Sequence, residues 1–215
     1  MVVDAAQARL VGSVLLLLVP LLAVYGVVAS RGGYWDAAFW ASPRDRKLEH
    51  IAGHRREWLW IHAGWILILG VLAAGAAGLA ALLAAAGEPA LAGIGLGAFL
   101  VGVGGWLAGI LLQGAPMHVA TRVRRETGAT PGWLEPLSTA AGLGEAAFVS
   151  LTALAYVVWG AAIVDGGFPG AWAGWVAVAL GGASVAGVAL AGERFTFPEL
   201  PLLVPMVLGV ALVID

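Results

Sequence analysis

The stretch SPRDRKLEHIAGHRREWLWIHAGWILI, residues 42–68, passes without a break from a strongly basic polar segment into an apolar run. It holds three of the four histidines, five of the eleven Lys/Arg and three of the ten tryptophans. Basic residues stay on the cytoplasmic side of a membrane, and tryptophan settles at headgroup depth. A long apolar run directly behind such a segment therefore reads as a spanning helix. The expectation is a cytoplasmic juxtamembrane helix over residues 43–58, bent near Gly53, that continues into that span. Ser42 suits an N-cap, Pro43 is tolerated at the first helical position, and Asp45 occupies the capping-box position where Glu or Gln is more usual.

Working outward, apolar runs recur at residues 10–29, 59–85, 91–113, 137–163, 171–191 and 199–214. Each is close to the twenty residues that a helix needs to cross a bilayer. Composition agrees: the chain is 61% hydrophobic and 11% charged, with a mean hydropathy of +0.94, whereas a soluble domain carries about 25% charged residues. The expected fold is all-α, a single polytopic membrane domain over residues 1–215 with six transmembrane helices in one Gly/Ala-packed bundle. The 32 glycines suit helices that pack backbone to backbone, as Gly93/Gly97 and Gly105/Gly109 do at four-residue spacing. Absence of cysteine excludes disulfides, thiol catalysis and cysteine-ligated iron–sulfur clusters. No basic face interleaved with aromatics occurs outside the juxtamembrane segment, which argues against nucleic acid as a partner.

The first run has a competing reading as a signal peptide, because Arg9 precedes a leucine run and Ala29-Ser30 could mimic a cleavage site. Its length and the basic residues that follow favour a retained helix. The intervals after spans one, three and five hold six, three and one Lys/Arg, and only Arg9 lies on the other side. That asymmetry places the basic intervals in the cytoplasm and both termini outside. Arg44, Arg46, Lys47, Arg55, Arg56, Arg122, Arg124 and Arg125 are then positioned to meet anionic lipid. A weak internal echo links Gly87-Glu88-Pro89-Ala90-Leu91-Ala92-Gly93 with Gly167-Phe168-Pro169-Gly170-Ala171-Trp172-Ala173-Gly174; either a duplicated hairpin or simple Gly/Ala/Pro composition would produce it.

Four places could carry chemistry. Glu145 is an ionisable residue within a span, where a carboxylate is costly and turns toward the bundle interior. Thr152 and Tyr156 continue its helical face, and Gln113 and His62 lie toward the same end of neighbouring spans. Together these five form a candidate ligand or proton site; the alternative is a protonated glutamate that simply bonds neighbouring helices. His50, His54 and Glu57 lie at helical spacing and resemble a divalent-metal half-site, although Arg46, Lys47, Arg55 and Arg56 would repel a cation. His62 and His118 sit near one depth on different helices, as axial ligands of a b-type haem would; interfacial histidines with satisfied nitrogens are the bland alternative. Pro198, Pro201 and Pro205 loosen the start of the last span beside Glu193, Arg194 and Glu199, as in a transporter site or at an ordinary membrane-helix start. No nucleotide-binding glycine motif and no serine with histidine and acid partners is present, so enzymatic activity is not the expected reading and no cofactor is expected.

The segment Gly167-Phe168-Pro169-Gly170-Ala171-Trp172-Ala173-Gly174-Trp175, followed by a glycine-rich span and PELPLLVPMVLGVAL, resembles a bacterial domain-of-unknown-function family of six- to seven-helix integral membrane proteins. The resemblance implies a helical bundle in the bacterial cytoplasmic (inner) membrane and brings no site residues with it. Two function classes stand. One is a protein that binds or moves a small molecule or ion through a site at Glu145. The other is a non-catalytic interaction or assembly subunit, a homo- or hetero-oligomer whose glycine faces and basic loop dock partners or anionic lipid. A metal- or haem-binding protein using the histidines is third.

Overall fold

The computed structural model describes residues 4–166, 168, 170–191 and 200–214, with no side-chain placement for Ala191 and Leu200. Among the described residues every regular element is an α-helix: α1 Ala5–Leu16, α2 Leu18–Arg31, α3 Ala37–Ala41, α4 Arg44–Gly53, α5 Arg55–Ala86, α6 Pro89–Thr127, α7 Leu134–Asp165, α8 Ala171–Ala191 and α9 Leu200–Ile214. α1 starts at Asp4, whose carboxylate accepts from the amide of Ala6 at 2.9 Å. α1 and α2 form one 27-residue apolar rod broken at Leu17. Pro20 cannot donate to the carbonyl four residues back, and the helix loosens one turn ahead of it, where the Leu17 amide divides between Ser13 O and Val14 O at 3.2 Å each.

Within residues 43–58 the helix α4 covers Arg44–Gly53 and is separated from α5 by His54 at φ −122°, ψ 40°. Its start differs from the expected capping box. Pro43 is the N-cap and makes no side-chain cap bond, because Ser42 Oγ donates backward to Phe39 O at 2.6 Å and closes α3. Asp45 instead reaches a distant arginine, described below. α5 ends in a left-handed glycine, Gly87 at φ 110°, and Pro89 opens α6, the tight turn that Gly87-Glu88-Pro89 predicts.

α6 is 39 residues long, about 58 Å at 1.5 Å per residue. That is roughly twice the thickness of the hydrocarbon layer, so the interval after residue 113 is a helical extension that projects beyond the span and stops at Gly128. Five helices, Ala5–Arg31, Arg55–Ala86, Pro89–Thr127, Leu134–Asp165 and Ala171–Leu190, are long and apolar enough to cross a membrane, and Pro201–Ile214 is a shorter apolar helix. Leu10, Val24, Leu67, Val101, Leu143 and Trp175 stand exposed on the outer faces, where only a hydrocarbon surrounding avoids a large hydration cost. The chain is a polytopic helical membrane protein. Of the repeated hairpin motif, the first copy forms the α5–α6 turn; Gly167 and Pro169 of the second lie outside the described residues.

Small residues carry the helix contacts. α6 and α7 pack most extensively, through a seam in which Gly105 faces Gly144 and Ala147, Gly109 faces Ala141, and Gly102 faces Phe148 and Thr152. Gly160 and Gly174 join α7 to α8, and Gly12 and Gly209 join α1 to α9. A Cβ on Gly109 would lie 3.0 Å from Ala141 O, closer than side-chain carbons normally approach. Between the seams Trp58, Phe99, Phe148, Tyr156 and Trp159 fill the core. Gly144→Ala drives a methyl into the Gly105 carbonyl and should lower the thermal midpoint in detergent, at about 1–3 kcal/mol of overpacking cost. Gly142→Ala, with nothing within 4 Å, should leave it unchanged; circular dichroism melts of the two variants decide.

Candidate functional site

The polar chemistry concentrates at the end of the bundle where α2–α4, the start of α5, the extension of α6 and the start of α7 meet. α4 lies against the α6 extension over a small buried patch of Leu48, Ala120 and Leu134, with Met117 packed alongside. Above it Arg124 of α6 forms the hub of an ion-pair cluster. Its Nη1 is 2.6 Å from Asp45 Oδ1 and its Nη2 is 3.1 Å from Glu49 Oε1, while Nη1 also donates to Thr130 Oγ1 at 3.0 Å. Thr130 Oγ1 donates in turn to Asp45. Arg44 approaches Glu135 at 3.9 Å, the outermost pair. These groups are exposed enough for water to weaken each pair, so the cluster acts as a register device that holds α4 against α6 and the α6–α7 loop.

Asp45 is held below the usual carboxylate range, first by the hydrogen bond from Thr130 and then by that from Arg124. Because its folded pKa is lowered, the contribution of Asp45 to docking is complete above the unfolded value, about 3.9, and is lost as pH falls through the lowered folded value. Hydrogen exchange in α4, corrected for the intrinsic pH dependence, should show full protection at neutral pH and loss below about pH 4. Asp45→Asn should abolish that pH dependence and raise exchange in α4 at neutral pH.

The histidines serve packing at this end. His50 Nε2 lies 2.5 Å from Gly32 O, and since a carbonyl only accepts, Nε2 carries the proton. The His54 ring stacks on that of His50 at 4.4 Å and 23°, and its Nδ1 donates to His50 O at 3.1 Å. Tyr34 is buried against Phe39, His50 and Trp58, with ring centroids 5.0, 5.5 and 5.2 Å away. Burial, and then the charge of Glu57, push its hydroxyl above the usual tyrosine range. Among the described residues no group of three His, Cys, Asp or Glu side chains is placed to hold a metal.

His62 and Trp58 lock α5 onto α6. His62 Nδ1 donates to Trp58 O at 2.8 Å, Trp58 Nε1 donates to Gly114 O at 3.2 Å, and the His62 ring lies where a Gly114 side chain would be, 2.8 Å from that Cβ position. His118 stands one turn beyond Gly114, half-exposed and within reach of the charges of Arg55, Arg122 and Arg125.

Glu145 is half-buried beside Gly144 on the α6–α7 seam. Thr152 is fully buried but returns its hydroxyl to Phe148 O at 2.6 Å in its own helix. Tyr156 is 2% exposed and lines a water-sized cavity with Leu15, Leu72, Phe99, Pro205 and Leu208; among the described residues its hydroxyl and the buried Trp106 Nε1 make no hydrogen bond. The seam register sets Gly109 against Ala141, so Gln113 falls level with Leu137, about 12 Å along the axis from Glu145. The five residues of the proposed polar stripe thus fall into separate places: His62 at α5–α6, Gln113 toward the basic end, Glu145 on the seam, Thr152 and Tyr156 in an apolar core.

The cations anticipated to meet lipid also divide. Arg44 and Arg124 are occupied by carboxylates, Lys47 lies 5.9 Å over the Trp40 ring, and Arg125 donates to Thr121 O at 3.4 Å. Arg46, Arg55, Arg56 and Arg122 form no ion pair among the described residues. The Arg124 cluster was not legible in sequence because its carboxylate partners, Glu49 and Asp45, lie 75 and 79 positions away (124 − 49 and 124 − 45). No family model, curated protein or solved structure matches the chain.

Proposed function

We propose that the chain is a six-span protein of a bacterial cytoplasmic membrane and acts as a non-catalytic interaction subunit that self-associates through α6. In this reading α1–α2 form the first span and α9 the sixth, the basic end is cytoplasmic and both termini lie outside, as in the bacterial family of unknown function that its last third resembles. The supporting observation is a row of small residues on the outer face of α6. Gly93, Gly97 and Gly104 have nothing within 4 Å of a Cβ position, and Ala108, four residues on, is exposed too. The other helix-facing glycines of α6 are already filled by α7 and α5. A strip at four- and seven-residue spacing is complementary to itself across a two-fold axis, so a second copy of the chain is the occupant that it suits best.

A site at Glu145 for an ion or small molecule is the second reading. It draws on the position of Glu145, a half-buried ionisable residue within an apolar helix, the kind of residue that marks ion and ligand sites in membranes. The two readings separate experimentally. In liposomes at low protein density, photobleaching of labelled protein should show two copies per particle, and Gly97→Leu with Gly104→Leu should weaken association about tenfold or more, as loss of a close helix contact does. Monomers in the parent protein, or unchanged dimers in the variant, would defeat the self-association reading. Loss of ion flux or ligand binding in Glu145→Gln with intact dimers would support the second.

A further inference from the structure

The first turns of α5 carry a feature that the self-association reading does not use. Arg55, Arg56, Leu59, Trp60 and Ala63 follow one another at helical spacing and line an open groove of about 500 Å³ on the outer surface. Its two ends differ. Arg55 and Arg56 form the rim at the basic end, both exposed and in no ion pair among the described residues. Leu59, Trp60 and Ala63 form an apolar floor that runs toward the middle of a spanning helix, with Trp60 59% and Leu59 44% exposed.

Positive charge exceeds negative charge at the rim, where Arg55 and Arg56 adjoin a single acidic residue of α5, Glu57. Arg55 of α5 joins Arg122 and Arg125 of α6 in bearing on His118, so the cations of two helices gather beside the groove mouth. The closest acidic cluster is spent elsewhere: Asp45 and Glu49 hold Arg124, and Glu135 faces Arg44. Guanidinium groups that form no ion pair among the described residues, at headgroup depth, are suited to a phosphate, which they hold with paired N–H donors. A soluble anion would leave the apolar floor bare. A peptide would leave its backbone groups without partners on a surface of hydrocarbon. An amphiphile with an anionic head and an acyl tail matches both ends at once.

We propose that this groove is a binding site for one acidic phospholipid. The phosphate lies between Arg55 and Arg56, the unpaired cations of α6 supply the preference for net negative charge over a zwitterion, and one acyl chain runs over Leu59 and Ala63 beside the Trp60 indole. The site rests on the placement of the basic end in the headgroup layer and is independent of the α6–α6 contact.

Native mass spectrometry of protein released from nanodiscs of phosphatidylglycerol and phosphatidylcholine tests it. The parent protein should retain one phosphatidylglycerol in preference to phosphatidylcholine. Arg55→Gln with Arg56→Gln should weaken that retention about 30-fold, the factor that two surface basic residues contribute toward an acidic membrane lipid. Ala63→Trp, which fills the floor at an exposed position and leaves every charge in place, should also lose the bound lipid. Arg46→Gln, an exposed cation away from the groove, should keep it. Helical circular dichroism and elution volume establish that each variant is folded. Equal retention of both lipids, unchanged retention in the double arginine variant or in Ala63→Trp, or displacement by inorganic phosphate alone would overturn the assignment. Retention that follows these variants while dimers are lost in the Gly97→Leu, Gly104→Leu protein would leave the lipid site standing by itself.

Discussion

The contact on which the rest depends is the backbone approach of α6 and α7 at Gly102, Gly105, Gly109, Ala141 and Gly144. In hydrocarbon there is no hydrophobic force between helices, and association comes from close packing instead. Replacing side chains by hydrogen along one strip of each helix lets long stretches of backbone touch. That seam sets the register of the two longest antiparallel rods. Through them it sets where α5 docks by Trp58 and His62 on one side and where α8 docks by Gly160 and Gly174 on the other. α1 and α9 close the remaining flank through Gly12 and Gly209, and the aromatic core lies between.

The same register carries charge to one end. With α6 running well past the hydrocarbon, Arg124 stands beyond the span and meets Asp45 and Glu49 on the short helix between α2 and α5. Asp45, Glu49 and Glu135 are taken up in holding α4 down. The arginines left without an ion pair among the described residues, Arg46, Arg55, Arg56 and Arg122, are exposed at the same end. One fold-level fact, the overlength of α6, thus divides the basic residues into a structural set and a free set. Position in sequence could not make that division.

The helical membrane class was legible, because runs of twenty apolar residues report directly on the solvent that surrounds them. Glycine spacing announced close packing, although it did not say which faces were used: Gly105/Gly109 are filled by α7, and Gly93/Gly97 stand open. The histidines show how little residue type alone decides. Imidazole looks the same in sequence whether it ligates a metal or donates to a backbone carbonyl, and here His50, His54 and His62 each do the second. The stripe from Glu145 to Tyr156 shares a helix face, yet Thr152 satisfies itself within the helix and Gln113 lies two turns away. Helical periodicity reports direction around an axis and says nothing of what the neighbouring helix presents there.

The seam can be tested directly, since the chain has no native cysteine. A Cβ on Gly105 would lie 3.3 Å from Ala147 Cβ, close to the spacing that a disulfide spans, whereas Gly104 is turned away with nothing within 4 Å. Gly105→Cys with Ala147→Cys, oxidised in intact membranes, should form an intramolecular disulfide that mass spectrometry detects, and Gly104→Cys with Ala147→Cys should not. A cross-link in the second pair, or none in the first, would contradict the α6–α7 register and the architecture built on it.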